Sequence, residues 1–325
     1  MNFAMVGYGY WGRILLKAFN DSNKHRVTHL ADRNIDKLLQ AKSIYPDIAI
    51  FTNIDDIAFN GDVDAVIISL PAIYHFNYAK LCLENGKHVL IEKPMTLTYN
   101  EAYELNELAQ NLNLVLMVNH HFIYKDAIRS VKQHIPSSVG KLQYFDSTRT
   151  NLGIFRTDVD VVLDLAPHDI SILLYLAEKL PESVSAIAKA NVVPNRNDIA
   201  YITLYFDDFM AHINVSWISA FKNRTIIFGC ENGTICFDDN KSTEKLTISP
   251  VRYVRNNGKI ECIKNEALIT ENDTSNALIN VIDEFASAIE TGRQPISNGE
   301  FGMAVALIID AIQASIAKDG IIIKL

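Results

Sequence analysis

The chain has 325 residues, of which 49% are hydrophobic and 21% are charged, and its formal net charge is -8. This composition is that of an ordinary globular protein and excludes an intrinsically disordered chain. The acidic balance, without a Lys/Arg cluster, excludes a general nucleic-acid binder. Because one hydrophobic core seldom organises this many residues, we expect two domains, residues 1–121 and 122–325.

The cysteines and the apolar segments bear on the cellular compartment. The four cysteines lie far apart, at positions 82, 230, 236 and 262, without a Cys-x-x-Cys pair, which suits neither a disulfide framework nor a zinc site. The N-terminal apolar run has no basic leader and is not expected to be a signal peptide. The apolar segment 304–317 is interrupted by Asp310 and Gln313 and is too short to span a membrane. We expect a cytoplasmic protein without a membrane segment.

The first domain alternates short apolar runs with helical patterns, which is typical of parallel strands joined by crossover helices. The apolar runs are Phe3–Val6, Val27–Ala31, Ala65–Leu70, His88–Ile91 and Leu114–Val118. Their nearly continuous apolar character indicates strands that helices cover on both faces. The pattern predicts an α/β domain with a doubly wound parallel sheet.

The second domain changes to an alternating pattern with a period of two residues. After an amphipathic helix that ends at Pro136, apolar and polar side chains alternate in 202–206 and 211–217, and Asn232-Gly233 marks a hairpin. These features predict an α+β domain with a large open antiparallel sheet. Two amphipathic helices close the chain, at 278–289 and 301–318, and we expect the last to pack back on the first domain.

A glycine motif directly follows the first predicted strand and opens a helix. In Gly7-Tyr8-Gly9-Tyr10-Trp11-Gly12, Gly7 permits a tight turn, Gly9 lets the backbone approach a pyrophosphate, and Gly12 lets helix and strand pack closely. The N–H groups of the helix N-terminus then face the phosphates. The motif in this context predicts a Rossmann-type dinucleotide-binding domain.

Asp32 lies twenty residues after Gly12, at the end of the second predicted strand. A carboxylate there accepts hydrogen bonds from the adenosine ribose hydroxyls and repels a 2′-phosphate, which favours NAD over NADP. The neighbouring Arg33 offsets part of that preference. The alternative is a glycine turn next to an unrelated surface aspartate.

Glu92-Lys93-Pro94 ends another buried strand, at the sheet edge where ligands bind in open α/β sheets. A Lys-Pro bond there can be cis, which would aim the lysine into the crevice. The alternative is an ordinary solvated strand end.

Asp164 and His168 introduce an apolar helical pattern in the second domain. They are four residues apart and would share a helix face, with Pro167 starting or kinking that helix. A carboxylate close to an imidazole orients the ring and suits proton transfer, and the alternative is a capping or structural pair.

The glycine loop, Glu-Lys-Pro and Asp-x-x-x-His, in this order and spacing, resemble the Gfo/Idh/MocA oxidoreductases over nearly the whole chain. Ser69-Leu70-Pro71 with His75 is similar to that family's Thr/Ser-x-Pro…His segment, with Leu70 where Thr is common. The segments 147–153 and 164–169 resemble a branch of the family that acts on nucleotide-linked sugars.

The resemblance implies roles for individual residues. It places Lys93 and His168 at the reacting hydroxyl, with Asp164 as the catalytic carboxylate beside His168. It places Glu92 and Pro94 at the nicotinamide, Tyr10 and Trp11 along the pyrophosphate, and Ser69, Leu70 and His75 at the cofactor. Either Lys93 or His168 could be the base that takes the hydroxyl proton.

Further candidates for substrate binding are polar groups near strand ends or in the loop before Asp164, each of which could equally be ordinary surface. They are Asn119, Tyr124, Arg149, Asn151 and Arg156. Arg156 suits a substrate phosphate, because a guanidinium fork matches phosphate oxygens. His120 and His121 lack a third ligand at workable spacing, so we expect no metal site.

The resemblance favours an NAD-dependent enzyme that oxidises a secondary hydroxyl, at C3, of a nucleotide-linked amino sugar to a ketosugar. The alternatives are oxidation of a free sugar or inositol, a glycosidase that recycles NAD, and a non-catalytic sensor of the redox cofactor. The exposed face of the predicted antiparallel sheet favours a homodimer or homotetramer. The expected partner is a small molecule, without nucleic acid or membrane.

Overall fold

The computed structural model describes residues 1–22, 24–264, 269–273 and 276–325. The chain divides into two compact units: the first comprises Met1–His121 and Asn276–Leu307, and the second comprises Phe122–Ser275 and Ile308–Leu325. The helices in chain order are α1 (Tyr10–Asp21), α2 (Ile35–Ile44), α3 (Asp55–Ala58), α4 (His75–Glu84), α5 (Tyr99–Asn111), α6 (Asp126–His134), α7 (Val161–Ala177), α8 (Ala277–Thr291) and α9 (Gly299–Ile316).

The first unit contains a parallel sheet of six strands. They are β1 (Phe3–Val6), β2 (Val27–Ala31), β3 (Ala49–Phe51), β4 (Ala65–Ile68), β5 (His88–Ile91) and β6 (Leu116–Val118). Their order in the sheet is β3-β2-β1-β4-β5-β6, so the direction of winding reverses between β1 and β4. That reversal leaves a crevice at the carboxyl ends of the strands, where open α/β sheets bind ligands. The predicted doubly wound domain is confirmed.

The second unit contains a large mixed sheet. Its strands are β7 (Leu142–Leu152), β8 (Ser183–Lys189), β9 (Ile199–Tyr205), β10 (Met210–Ser216), β11 (Ile218–Cys230), β12 (Gly233–Asp238), β13 (Leu246–Asn256), β14 (Lys259–Lys264), β15 (Ile269–Glu271) and β16 (Ile323–Lys324). The order is β14-β13-β12-β11-β7-β10-β9-β8-β16, and β15 pairs with β13. Neighbouring strands are antiparallel except β7 and β10, which run parallel. The predicted open antiparallel sheet is confirmed with this one parallel pair.

Helix α7 packs against the sheet of the second unit. Ala211, Ile213 and Val215 alternate along β10 and are fully buried, and most residues of α7 are buried as well. The helix begins at Val161 because the Asp160 carboxylate accepts hydrogen bonds from the backbone N–H groups of the first turn. Pro167 therefore lies inside the helix rather than at its start.

Helix α9 contributes residues to both units. Among the described residues, α9 is the one helix that is long and apolar enough to cross a membrane. Half of this helix is buried inside the protein. A core helix that is apolar on most faces has the same composition.

Candidate active site

The glycine loop follows β1, and its three glycines have different surroundings. Gly7 has a φ of +94°, and a Cβ there would lie 2.4 Å from the backbone oxygen of Ser69; a Cβ at Gly12 would lie 2.0 Å from that of Gly7. A Cβ at Gly9 would meet no atom of the described residues within 4 Å. The chain's own backbone thus requires Gly7 and Gly12, whereas Gly9 faces open space that a pyrophosphate can enter.

The N-terminus of α1 is available to an anion. No side chain of the described residues caps this end, and no acidic residue occupies its first turn. Tyr10 is 76% exposed, and Trp11 is half-buried with its ring centroid 5.8 Å from that of His121. Free N–H groups at a helix N-terminus fit the phosphates of a dinucleotide.

Asp32 follows β2 and is held in place by backbone groups. Its carboxylate accepts hydrogen bonds from Tyr8 N and Asn34 N, both at 2.8 Å, and lies 3.8 Å from Lys37 Nζ. It borders a cavity of about 220 Å³ lined by Asp32, Arg33, Lys37, Ile54, Leu70, Pro71 and Tyr74. A carboxylate beside a partly apolar pocket fits an adenosine ribose and its base.

His75 links the segments that follow β4 and β5. Its Nδ1 lies 2.8 Å from the carbonyl oxygen of Pro94, and its Nε2 lies 2.9 Å from that of Leu70. The ring is 1% exposed, and the Lys93–Pro94 peptide bond is cis. His75 therefore fixes the backbone around Pro94. Leu70 lines the cavity that Asp32 borders, and Ser69 N donates a hydrogen bond to the carbonyl oxygen of Val6 at 2.9 Å.

Glu92 forms a buried polar group next to Lys93. Its carboxylate accepts hydrogen bonds from Asn119 Nδ2 at 2.6 Å and from Lys93 N at 3.2 Å. Lys93 itself is half-buried. Asn119 Oδ1 is buried without a hydrogen-bond partner among the described residues. An unpaired buried acceptor is costly, so this oxygen is a candidate contact for a ligand.

His120 is the residue of this region to which the sequence assigned no function. It is 1% exposed, it contacts Phe301 edge to face at 5.6 Å, and neither ring nitrogen has a hydrogen-bond partner among the described residues. Burial, and to a smaller extent the Lys93 charge, lower its pKa to about 3. The imidazole is therefore neutral at physiological pH. The only available signal was its position at the end of a buried strand.

Asp164 and His168 lie on α7, one turn apart, as predicted from their spacing. The Asp164 carboxylate accepts a hydrogen bond from Trp217 Nε1 at 3.1 Å and lies 3.7 Å from Arg156 Nη1. His168 is 7% exposed, and its ring meets that of Phe122 at a centroid distance of 5.0 Å. A fixed carboxylate and a nearly buried imidazole are thus both present on one helix.

The two arginines predicted to contact substrate are already paired. Arg149 directs its guanidinium fork to Asp169 through bonds of 2.9 and 2.8 Å and is 4% exposed. Arg156 binds Asp158 in the same two-pronged way, at 3.0 and 2.9 Å.

The two other substrate candidates of the second unit differ in burial. Tyr124 is fully buried with the Arg129 guanidinium 5.6 Å from its ring centroid. Asn151 is half-buried next to Gly153, where a Cβ would lie 3.0 Å from its Nδ2. Among the described residues, no group of three or more potential metal ligands occurs.

Two family models match the chain. Residues 1–120 match the oxidoreductase family with an NAD-binding Rossmann fold, and residues 147–236 match the GFO/IDH/MocA C-terminal domain. The uncharacterized oxidoreductase YhhX of Escherichia coli K12 is 30% identical over 264 residues, which are 77% of this chain and 76% of that protein. The chain belongs to the Gfo/Idh/MocA family of oxidoreductases. The predicted family, enzyme class and NAD cofactor are confirmed.

The relatives with named activities include a dehydrogenase that acts on a nucleotide sugar. UDP-N-acetylglucosamine 3-dehydrogenase of Acidithiobacillus ferrooxidans is 32% identical over 206 residues, or 62% of this chain. The match covers 61% of the length of that relative, and the matches to two other curated relatives cover 57% and 42% of their lengths. The structure of the Acidithiobacillus enzyme, GnnA, superposes with a TM-score of 0.83 over 98% of both chains at 24% identity. The superposition establishes a shared fold.

Proposed function

We propose that the protein oxidises the C3 hydroxyl of a nucleotide-linked amino sugar to a ketone, with NAD as the hydride acceptor. The observation that carries this proposal is the 32% identity to UDP-N-acetylglucosamine 3-dehydrogenase over 206 residues. The resemblance of 147–153 and 164–169 to the sugar-nucleotide branch of the family supports it. UDP-N-acetylglucosamine is therefore the first candidate substrate.

The residues of the first unit would bind the cofactor along the carboxyl edge of its sheet. Gly9, Tyr10 and Trp11 would face the pyrophosphate, because the space above Gly9 is open and the N-terminus of α1 is uncapped by the described side chains. Asp32 would accept hydrogen bonds from the adenosine ribose. Bound NAD supplies the carbon that accepts the hydride.

Lys93 and His168 would act on the oxygen of the substrate. When a hydride leaves a carbinol carbon, the hydroxyl must also lose its proton, so a base has to contact that oxygen. One of the two would take the proton, and the other would donate a hydrogen bond. The Glu92 carboxylate accepts a hydrogen bond from the backbone N–H of Lys93 and thereby fixes the backbone from which the lysine side chain extends.

The test is an assay for NADH formation from NAD with UDP-N-acetylglucosamine, UDP-glucose, free N-acetylglucosamine and inositol. We expect NADH with UDP-N-acetylglucosamine, and none from Lys93→Met, which should still bind NADH. NADH from a free sugar or inositol alone, or release of a glycoside leaving group without NADH, would favour the corresponding alternative. A flat trace with every nucleotide sugar would contradict the proposal.

The assembly and the compartment also stay proposals. One face of the large sheet carries exposed apolar side chains, among them Tyr144, Tyr201 and Met210. Such a face favours a homodimer or homotetramer. Free cysteines fit the reducing cytoplasm. Light scattering coupled to size-exclusion chromatography would measure the mass in solution, and a monomer would contradict the proposed assembly.

A further inference from the structure

The Arg149–Asp169 ion pair lies in the interior of the second unit. Arg149 Nε donates to Asp169 Oδ2 at 2.9 Å and Arg149 Nη2 donates to Oδ1 at 2.8 Å, and the two side chains are 5% and 0% exposed. Replacing a buried pair of this kind by apolar residues is often neutral or stabilising, so its presence is weak evidence for a role in stability. The position of this pair is therefore better explained by a role in the geometry of its neighbours.

The same guanidinium contacts an aromatic ring next to His168. The Arg149 guanidinium carbon lies 4.5 Å from the ring centroid of Phe122, and Lys125 Nζ lies 5.3 Å from that centroid. Lys125 is itself anchored by Asp239 at 2.8 Å. Cations attract the face of an aromatic ring, so these two groups restrain where the Phe122 ring lies.

Phe122 in turn borders the imidazole of His168. The two ring centroids are 5.0 Å apart and the ring planes are inclined by 64°. Asp169, the partner of Arg149, is the next residue after His168 on α7. Arg149 is thus connected to His168 by two routes, through the helix backbone at Asp169 and through the ring of Phe122.

We propose that Arg149 is a positioning residue that fixes the His168 imidazole through Asp169 and Phe122, rather than a substrate contact. The proposal rests on the proposed role of His168 in catalysis. The arginine fork binds both oxygens of Asp169 while its guanidinium carbon lies 4.5 Å from the ring centroid of Phe122, and lysine cannot make both contacts. Arg149→Lys therefore keeps the charge and loses the geometry.

The kinetic test compares Arg149→Lys with the wild type in the dehydrogenase assay. We expect kcat to fall by roughly tenfold to a hundredfold, because small misplacements of catalytic groups cost that much, with KM for the sugar nucleotide unchanged. A raised KM with unchanged kcat would identify Arg149 as a substrate contact and overturn the proposal. The matched control is Arg293→Lys, which alters a two-pronged pair with Glu284 in the first unit and should leave both constants unchanged.

A second readout does not depend on activity. The ring protons of His168, assigned by comparison with His168→Gln, should be shifted in the NMR spectrum by the adjacent Phe122 ring. Phe122→Leu keeps the ion pair and should remove this ring shift, and Arg149→Lys should change it. Unchanged His168 signals in both folded variants would overturn the proposal even if UDP-N-acetylglucosamine proved not to be the substrate. If Arg149→Lys does not fold, an unchanged kcat of Phe122→Leu would overturn the proposed route through that ring.

Discussion

His120 is a side chain whose protonation is strongly altered by its surroundings. It is buried beside Phe301, and burial together with the Lys93 charge lowers its pKa to about 3. A neutral imidazole adds no positive charge near Lys93, the lysine that we propose to act on the substrate hydroxyl. The residue also links the candidate site to the pH dependence of folding.

Acidification should destabilise the protein in part through His120. Its pKa is lower in the folded chain than the usual value of 6.5, so the unfolded chain binds the proton more readily. The stability due to the neutral ring is complete above the unfolded pKa and is lost as the pH falls from that value toward about 3. Between about pH 7 and about pH 5 the loss should be about 2 kcal/mol.

Urea unfolding of the wild type and of His120→Phe at both pH values would measure this loss. The variant removes the titrating group and keeps an aromatic ring next to Phe301. Its free energy of unfolding should depend less on pH than that of the wild type. Parallel pH dependences of the two proteins would contradict the assignment.

Cofactor selection is also decided by single side chains. Asp32, Arg33 and Lys37 line the same cavity. The Asp32 carboxylate would repel the 2′-phosphate of NADPH, whereas the charges of Arg33 and Lys37 would attract it. Because the Asp32 carboxylate already accepts two backbone hydrogen bonds, it is fixed at the rim of the cavity. We expect a lower Kd for NADH than for NADPH by titration calorimetry. Asp32→Ala should narrow the difference, and equal affinities in the wild type would contradict this account.

Among the structural elements, the β1–α1 loop contains one glycine that the fold requires and another that we expect to serve cofactor binding. Gly12 is required by the backbone of Gly7, whereas Gly9 faces open space. We expect Gly12→Ala to lower the Tm, because its Cβ would clash with a carbonyl oxygen. Gly9→Ala should keep the wild-type Tm and raise the Kd for NADH, because its Cβ would occupy the space near the pyrophosphate. Unchanged NADH affinity of Gly9→Ala would contradict the proposed location of the cofactor.

The sequence predicted the elements whose signals are local. The apolar runs Phe3–Val6, Val27–Ala31 and His88–Ile91 coincide with strands because helices cover both faces of the sheet. Strand β3 was missed because its three residues are only partly buried and carry no distinct pattern. The parallel pairing of β7 with β10 was also missed, because pairing partners distant in sequence are set by the tertiary structure.

The same distinction applies to the candidate site. The glycine loop, Asp32, Lys93 and the Asp164/His168 spacing could be recognised because each is a short motif next to a predicted element. The contacts of His75 with Pro94 and of Arg149 with Asp169 join residues 19 and 20 positions apart. No local sequence pattern predicts contacts between residues so far apart in the chain. The exposure of a polar side chain could not be predicted either, because it depends on the whole fold.

In the molecule as a whole, the residues to which the family resemblance assigns roles lie in both units. The first unit belongs to the NAD-binding domain of the family and carries Lys93, and the second unit carries Asp164 and His168. In the proposed reaction a hydride leaves C3 of the sugar. The C3–H bond breaks in this step, and isotopic labelling of that bond tests the proposal.

The decisive measurement uses UDP-N-acetylglucosamine labelled with deuterium at C3, incubated with NAD and the enzyme. We expect the reduced nicotinamide to carry the deuterium, as read by mass spectrometry, and turnover to be slower than with the unlabelled substrate if hydride transfer limits the rate. Reduced cofactor without deuterium would show that the hydride comes from another carbon. Loss of the label to water without reduced cofactor would likewise contradict net oxidation at C3.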